Sequence, residues 1–134
     1  MKYRSVFDII GPVMIGPSSS HTAGAVRIGQ LARTLFGRTP DSAVLRFYGS
    51  FAKTYRGHAT DVAAVAGLLG LPTDDPRIPQ SIELAEQQGI ALTFIAEEAI
   101  PAHPNTLTIE LADGRGTFRA TGVSLGGSLV QMTE

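Results

Sequence analysis

A chain of 134 residues that is 43% hydrophobic and 17% charged is long and apolar enough to close one domain around a core, which excludes a disordered segment. A formal net charge of -1 excludes binding by broad phosphate neutralisation, so no nucleic-acid partner is expected. Without cysteine the chain alone makes no disulfide, no thiol nucleophile and no iron–sulfur or zinc–thiolate site.

In chain order, the N-terminal MKYRSVFDIIGPV places Asp8 and a Gly-Pro turn where a secretory signal needs an unbroken apolar stretch. The apolar runs fall short of a bilayer span, so a cytoplasmic chain with no membrane partner is expected. From Ser20 to Phe36, Ala25, Ile28, Gly29, Ala32, Leu35 and Phe36 recur at helical spacing, with Arg27, Gln30 and Thr34 on the other side and Gly37 as a C-terminal stop. Ser42 to Ser50 reads as a mostly buried strand. A second helix is predicted over about Ala59 to Leu69, with a stripe of Val62, Val65, Ala66 and Leu69, ended by Gly70 and Pro72. A third is predicted over about Pro79 to Gln88, with Ile78, Ile82 and Ala85 inward and Gly89 behind it.

Ile90 to Ala96 is a strand candidate. Beyond it, Leu107, Ile109 and Leu111 alternate with Thr106, Thr108 and Glu110, so one face should be buried and the other wet. Asp113-Gly114 supplies the hairpin turn, and the tail VSLGGSLVQMTE turns into a last strand. Helices early and a hairpin late predict an α+β or mixed-sheet fold in one domain. No internal repeat is present.

The three histidines all fall in turn-rich stretches. His21 stands in GPSSSHTAG, Gly16 to Gly24, where Ser18, Ser19 or Ser20 can cap the following helix. The first turn of a helix carries unpaired N–H groups and about half a positive charge, which suits a carboxylate or phosphate and biases an imidazole towards its neutral, proton-accepting form. His58 stands in GSFAKTYRGHATDVA, after Ser50 and Gly57, with Lys53 and Arg56 nearby and Thr60 and Asp61 opening the next helix. His103 lies between Pro101 and Pro104, before Asn105 and Thr106, where a structural or supporting role fits. The same residues also fit plain helix caps and turns with uninvolved histidines. Gly126-Gly127-Ser128 fits a bulge or a backbone approach to a ligand. No metal-ligand spacing, P-loop or dinucleotide-binding glycine pattern is found.

Taken together, GPSSSHTAG, GSFAKTYRGHATDVA with the later GLLG, HPNT and SLGGS resemble the beta subunit of the iron–sulfur-dependent L-serine dehydratases. The likeness runs in order and approximate spacing from about Gly11 to the C-terminus. The family often has glycine where Tyr55, Ala59 and Ser128 stand. The resemblance implies a single beta-type domain over residues 1–134, of α/β (α+β) class, a mixed sheet with packed helices like the allosteric-substrate-binding fold. Family beta chains often continue into an ACT domain. It further implies conversion of L-serine to pyruvate and ammonia without pyridoxal phosphate. An alpha subunit would carry a 4Fe-4S cluster on its own cysteines, in a homodimer or heterotetramer. On that activity the catalytic candidates are His21 and His58. The substrate-binding candidates are Ser18, Ser19, Ser20, Thr22, Ser50, Lys53, Thr60, Asp61, Asn105 and Thr106. Two alternatives use the same residues: a regulatory domain that binds serine or another small anion without chemistry, and a structural partner that only completes the alpha subunit.

Overall fold

A computed structural model describes residues 23–49, 60–97, 105–126 and 129–133. Its elements are α1 (Gly24–Phe36), β1 (Ser42–Tyr48), α2 (Thr60–Leu68), a 3₁₀ turn (Ile78–Gln80), α3 (Ser81–Gln87), β2 (Ala91–Ala96), β3 (Asn105–Asp113), β4 (Gly116–Gly126) and β5 (Leu129–Thr133). The strands form one mixed sheet in the order β2-β1-β3-β4-β5. Only β1 and β2 run parallel; β3, β4 and β5 add antiparallel neighbours on the other side of β1. The α+β class expected from helices early and a hairpin late is the one observed.

One sheet face carries the core. Ala43, Leu45 and Phe47 of β1, Leu107, Ile109 and Leu111 of β3, and Val130 and Met132 of β5 are buried on it. Burying a side chain of this size contributes about 1.5–3 kcal/mol, so the alternation fixes the register: a one-residue slip would turn the apolar set outward. Helix α1 lies across β3, β4 and β5, whereas α2 packs between α1 on one side and the 3₁₀ turn with α3 on the other.

Helix α1 ends as the sequence indicates. Gly37 has φ 88° and donates its N–H to the Arg33 carbonyl. Leu35 departs from expectation, since it is 50% exposed. Phe36 holds the last turn instead: its ring lies 6.2 Å from that of Phe118, and the Arg38 guanidinium stands 4.2 Å above it. Leu31, one turn earlier on the same face, is buried.

Helix α2 has no simple stripe. Ala63, Ala64, Val65, Ala66, Gly67 and Leu68 are all buried, while Val62 and Leu69 are only partly so. An apolar helix held between two helical neighbours is covered on more than one side. Thr106 and Thr108, expected on the wet face, are 8% and 2% exposed. Thr108 shares a 2.8 Å hydroxyl contact with Thr121. Its cross-strand neighbour Arg46 is held on the same face by Glu97 (2.7 Å) and Glu110 (3.2 Å).

Candidate functional site at one end of the sheet

The parallel pair defines a carboxyl end, and the register carries that end across the whole sheet. Phe47 is opposite Ala96, Tyr48 opposite Thr106, Thr106 opposite Val123, and Val123 opposite Gln131. The described residues that border the histidine and glycine motifs therefore gather there. Gly49 follows β1, and Glu97 follows β2 with its N–H bonded to the Phe47 carbonyl at 2.8 Å. Asn105 opens β3, and Gly126 and Leu129 face each other across the β4–β5 turn. Helix α1 starts at the same end, with Gly24 against Ser124 of β4. The connection from Tyr48 to Ala91 must return to the opposite end of the sheet, because β1 and β2 are parallel. Helix α2 lies within that connection, with Thr60 as its first residue.

Four of the sequence-derived site residues fall in described structure. Thr60 is fully buried at the start of α2. Asp61, beside it, accepts the Val62 N–H at 2.8 Å, so its carboxylate already occupies one amide of the first turn. Thr106 is buried in β3, and Asn105 is described in its backbone only. Ser18, Ser19, Ser20, His21, Thr22, Ser50, Lys53 and His58 lie outside the described residues, as does His103.

Sequence reasoning passed over three residues at this end. Arg27 was placed on the outer side of α1, but it is partly buried, and desolvation lowers its pKa from the ordinary arginine value. Its Nη1 donates to Gln30 Oε1 at 3.3 Å, so a partly dehydrated cation lies in the first turn of α1. Gly24 and Ser124 stand inside the motifs GPSSSHTAG and SLGGS. Their contact has no local signal, because it joins positions a hundred residues apart.

Among the described residues no group of three or more His, Asp or Glu side chains is placed to hold a metal ion. No described helix is long and apolar enough to cross a membrane. A depression of about 380 Å³ opens on the other sheet face, among Ser42, Val44, Glu110, Ala112, Thr117 and Arg119. Ser42 begins β1, so this depression is displaced from the carboxyl end of the parallel strands.

Comparison with known proteins places this arrangement in a family. The chain is 59% identical over its full length to the probable L-serine dehydratase beta chain of Bacillus subtilis, of which it covers 61%. It is 39% identical to the L-serine dehydratase beta chain of Peptoniphilus asaccharolyticus, over 97% of this chain and 60% of that one. It is 33% identical to an L-serine dehydratase of Haemophilus influenzae, over 94% of this chain and 33% of that one. The chain thus spans about three fifths of the beta chains it matches, and about a third of the longer enzyme. A family model described as serine dehydratase beta chain matches residues 5–91, and the chain belongs to that family.

Proposed function

We propose that this chain acts as the beta subunit of an L-serine dehydratase, converting L-serine to pyruvate and ammonia with a cysteine-bearing alpha subunit. The observation that carries the reading is the gathering, at the carboxyl end of β1 and β2, of Gly24, Gly49, Asn105, Ser124 and Gly126, which belong to four of the motifs the family resemblance rests on. Ligands of open α/β sheets bind outside the carboxyl ends of parallel strands. His21 is two residues of chain from Ala23, His58 two from Thr60 and His103 two from Asn105. Covalent geometry limits each such step to about 7 Å.

The reaction removes the serine Cα proton and its β-hydroxyl. His21 or His58 serves as the base, a neutral imidazole beside a helix start being suited to accept a proton. Ser18, Ser19, Ser20 and Thr22 donate hydrogen bonds to the substrate carboxylate at the start of α1, where the helix dipole adds about 0.3–1 kcal/mol. Lys53 adds positive charge, and Ser50, Thr60, Asn105 and Thr106 complete the polar lining. Asp61, an anion already bonded to the Val62 N–H, suits the substrate ammonium better than its carboxylate.

An iron–sulfur cluster would supply a Lewis acid for the leaving hydroxyl. This chain has no cysteine to hold one, so its residues do not fit the group. The 4Fe-4S cluster is assigned to the alpha subunit, in a cytoplasmic homodimer or heterotetramer. The experiment is anaerobic pyruvate release from L-serine by the alpha subunit alone, by this chain alone and by the two combined. The expected result is turnover only on combination. Full activity of the alpha subunit alone would contradict the reading.

A further inference from the structure

Gly24 closes the motif GPSSSHTAG and Ser124 opens the motif SLGGS. They come from opposite parts of the chain, and the fold presses them together. A Cβ placed on Gly24 would overlap Ser124 Oγ and approach Ser124 Cβ to 2.7 Å. Gly24 is buried and Ser124 is 0% exposed, so neither side of the contact has free space to yield into. The position on β4 is itself specialised. The β4–β5 ladder is regular from Thr121 to Ser124 and then shifts register between Ser124 and Gly126, where the turn to β5 begins. One turn further along α1 a second contact fixes the same seat. A Cβ on Gly122 would come within 2.6 Å of Ile28 Cγ1. Two successive inward positions of β4, Gly122 and Ser124, thus receive two successive turns of α1.

We propose that Gly24 and Ser124 are a positioning pair, setting how closely the start of α1, which the Ser18–Thr22 stretch precedes in the chain, approaches the end of β4. This rests on the functional reading above and deepens it, because it assigns a task to two motif residues that touch no reacting atom. The residue at 24 must be glycine for steric rather than conformational reasons. The helix tolerates alanine, but the room a methyl group would need belongs to Ser124.

The test uses this chain combined with its alpha subunit and compares Gly24→Ala, Ser124→Gly, the double variant Gly24→Ala/Ser124→Gly, and Leu111→Ala. The last is a core truncation away from the contact that lowers stability without touching α1's seat on β4. Two readouts are taken: kcat and KM for L-serine, and amide hydrogen exchange across residues 18–28 and 122–130. For Gly24→Ala, kcat should fall at least tenfold with faster exchange in both stretches. In the double variant both should return to within about threefold of the parent, since deleting the Ser124 side chain makes room for the new methyl. Leu111→Ala should leave kcat within about threefold. Unchanged exchange at 122–130 in Gly24→Ala, or a double variant no better than the single, would overturn the proposal. So would a kcat loss in Leu111→Ala equal to that of Gly24→Ala. Coupled exchange that the double variant repairs, in an assembly that releases no pyruvate, would instead leave the contact standing and remove the dehydratase reading.

Discussion

Asp75 and Asp113 each fasten a turn with one carboxylate and one arginine. Asp75 accepts the Arg77 N–H at 2.8 Å and pairs with the Arg77 guanidinium at 2.8 Å, which lowers its pKa to about 2. Asp113 accepts the N–H groups of Arg115 (2.8 Å) and Gly116 (3.1 Å) and pairs with Arg38 through both oxygens. The Arg38 guanidinium holds that carboxyl well below the usual range. A carboxylate whose folded pKa is depressed contributes stability above its unfolded pKa of about 4 and loses it as pH falls through the folded value. The midpoint of thermal unfolding should therefore drop between about pH 4 and pH 2. A double Asp75→Asn/Asp113→Asn variant should show a shallower drop over the same window, although it is less stable at pH 7. Equal slopes in the two acid profiles would show that these pairs do not carry the linkage. The Asp113-Gly114 turn was legible because turn chemistry is local. Arg38 as its partner was not, since the ion pair spans 75 residues and nothing near Arg38 encodes it.

Among the elements, the crossing of α1 and α2 depends on two glycines. A Cβ on Gly29 would overlap the Ala64 carbonyl oxygen, and one on Gly67 would overlap the Val26 carbonyl oxygen. The obstacles are backbone, which cannot rotate away, so the helices must separate for any side chain to enter. Gly29→Ala or Gly67→Ala should cost about 1–3 kcal/mol as overpacking. In urea unfolding this appears as a lower midpoint with an unchanged slope. A midpoint equal to the parent's would mean the two helices are not in close contact. Helix α2 also shows why its face could not be read from sequence. In TDVAAVAGL nearly every residue is apolar, so periodicity identifies a helix without choosing a side. Leu35 fails for a different reason: its spacing is correct, but Phe118 and Arg38 take up Phe36 at the helix end. The threonines at 106 and 108 looked like wet positions because alternation marks two faces and does not say what covers the second.

For the whole molecule, the three helix-ending glycines Gly37, Gly70 and Gly89, the β3–β4 hairpin and the last strand were readable from short-range chemistry. Sheet order was not. That β3 pairs with β1 on the side away from β2 is a long-range choice, and no local motif specifies it. The same holds for the site. SSSHT and GHATD were recognisable as strings, and of the candidate site residues Thr60, Asp61, Asn105 and Thr106 fall in described structure. The topology brings the motif borders to one end of the sheet: two parallel strands finish there, β3 begins there, and α1 is seated there by Gly24. Arg27 and Ser124 belong to that end for the same reason, although neither carries a pattern that singles it out.

The central claim is that this chain brings a proton-transferring histidine to the dehydration of L-serine. Its most direct test is kcat for pyruvate formation by the combined subunits with His21→Ala and His58→Ala, the cluster content being equal in all samples. Removal of a general base costs about 10²–10⁴-fold, so at least one variant should fall into that range with its unfolding midpoint unchanged. Both variants within about threefold of the parent would contradict the claim. Such a result would move the base to the alpha subunit and leave this chain a regulatory or structural role.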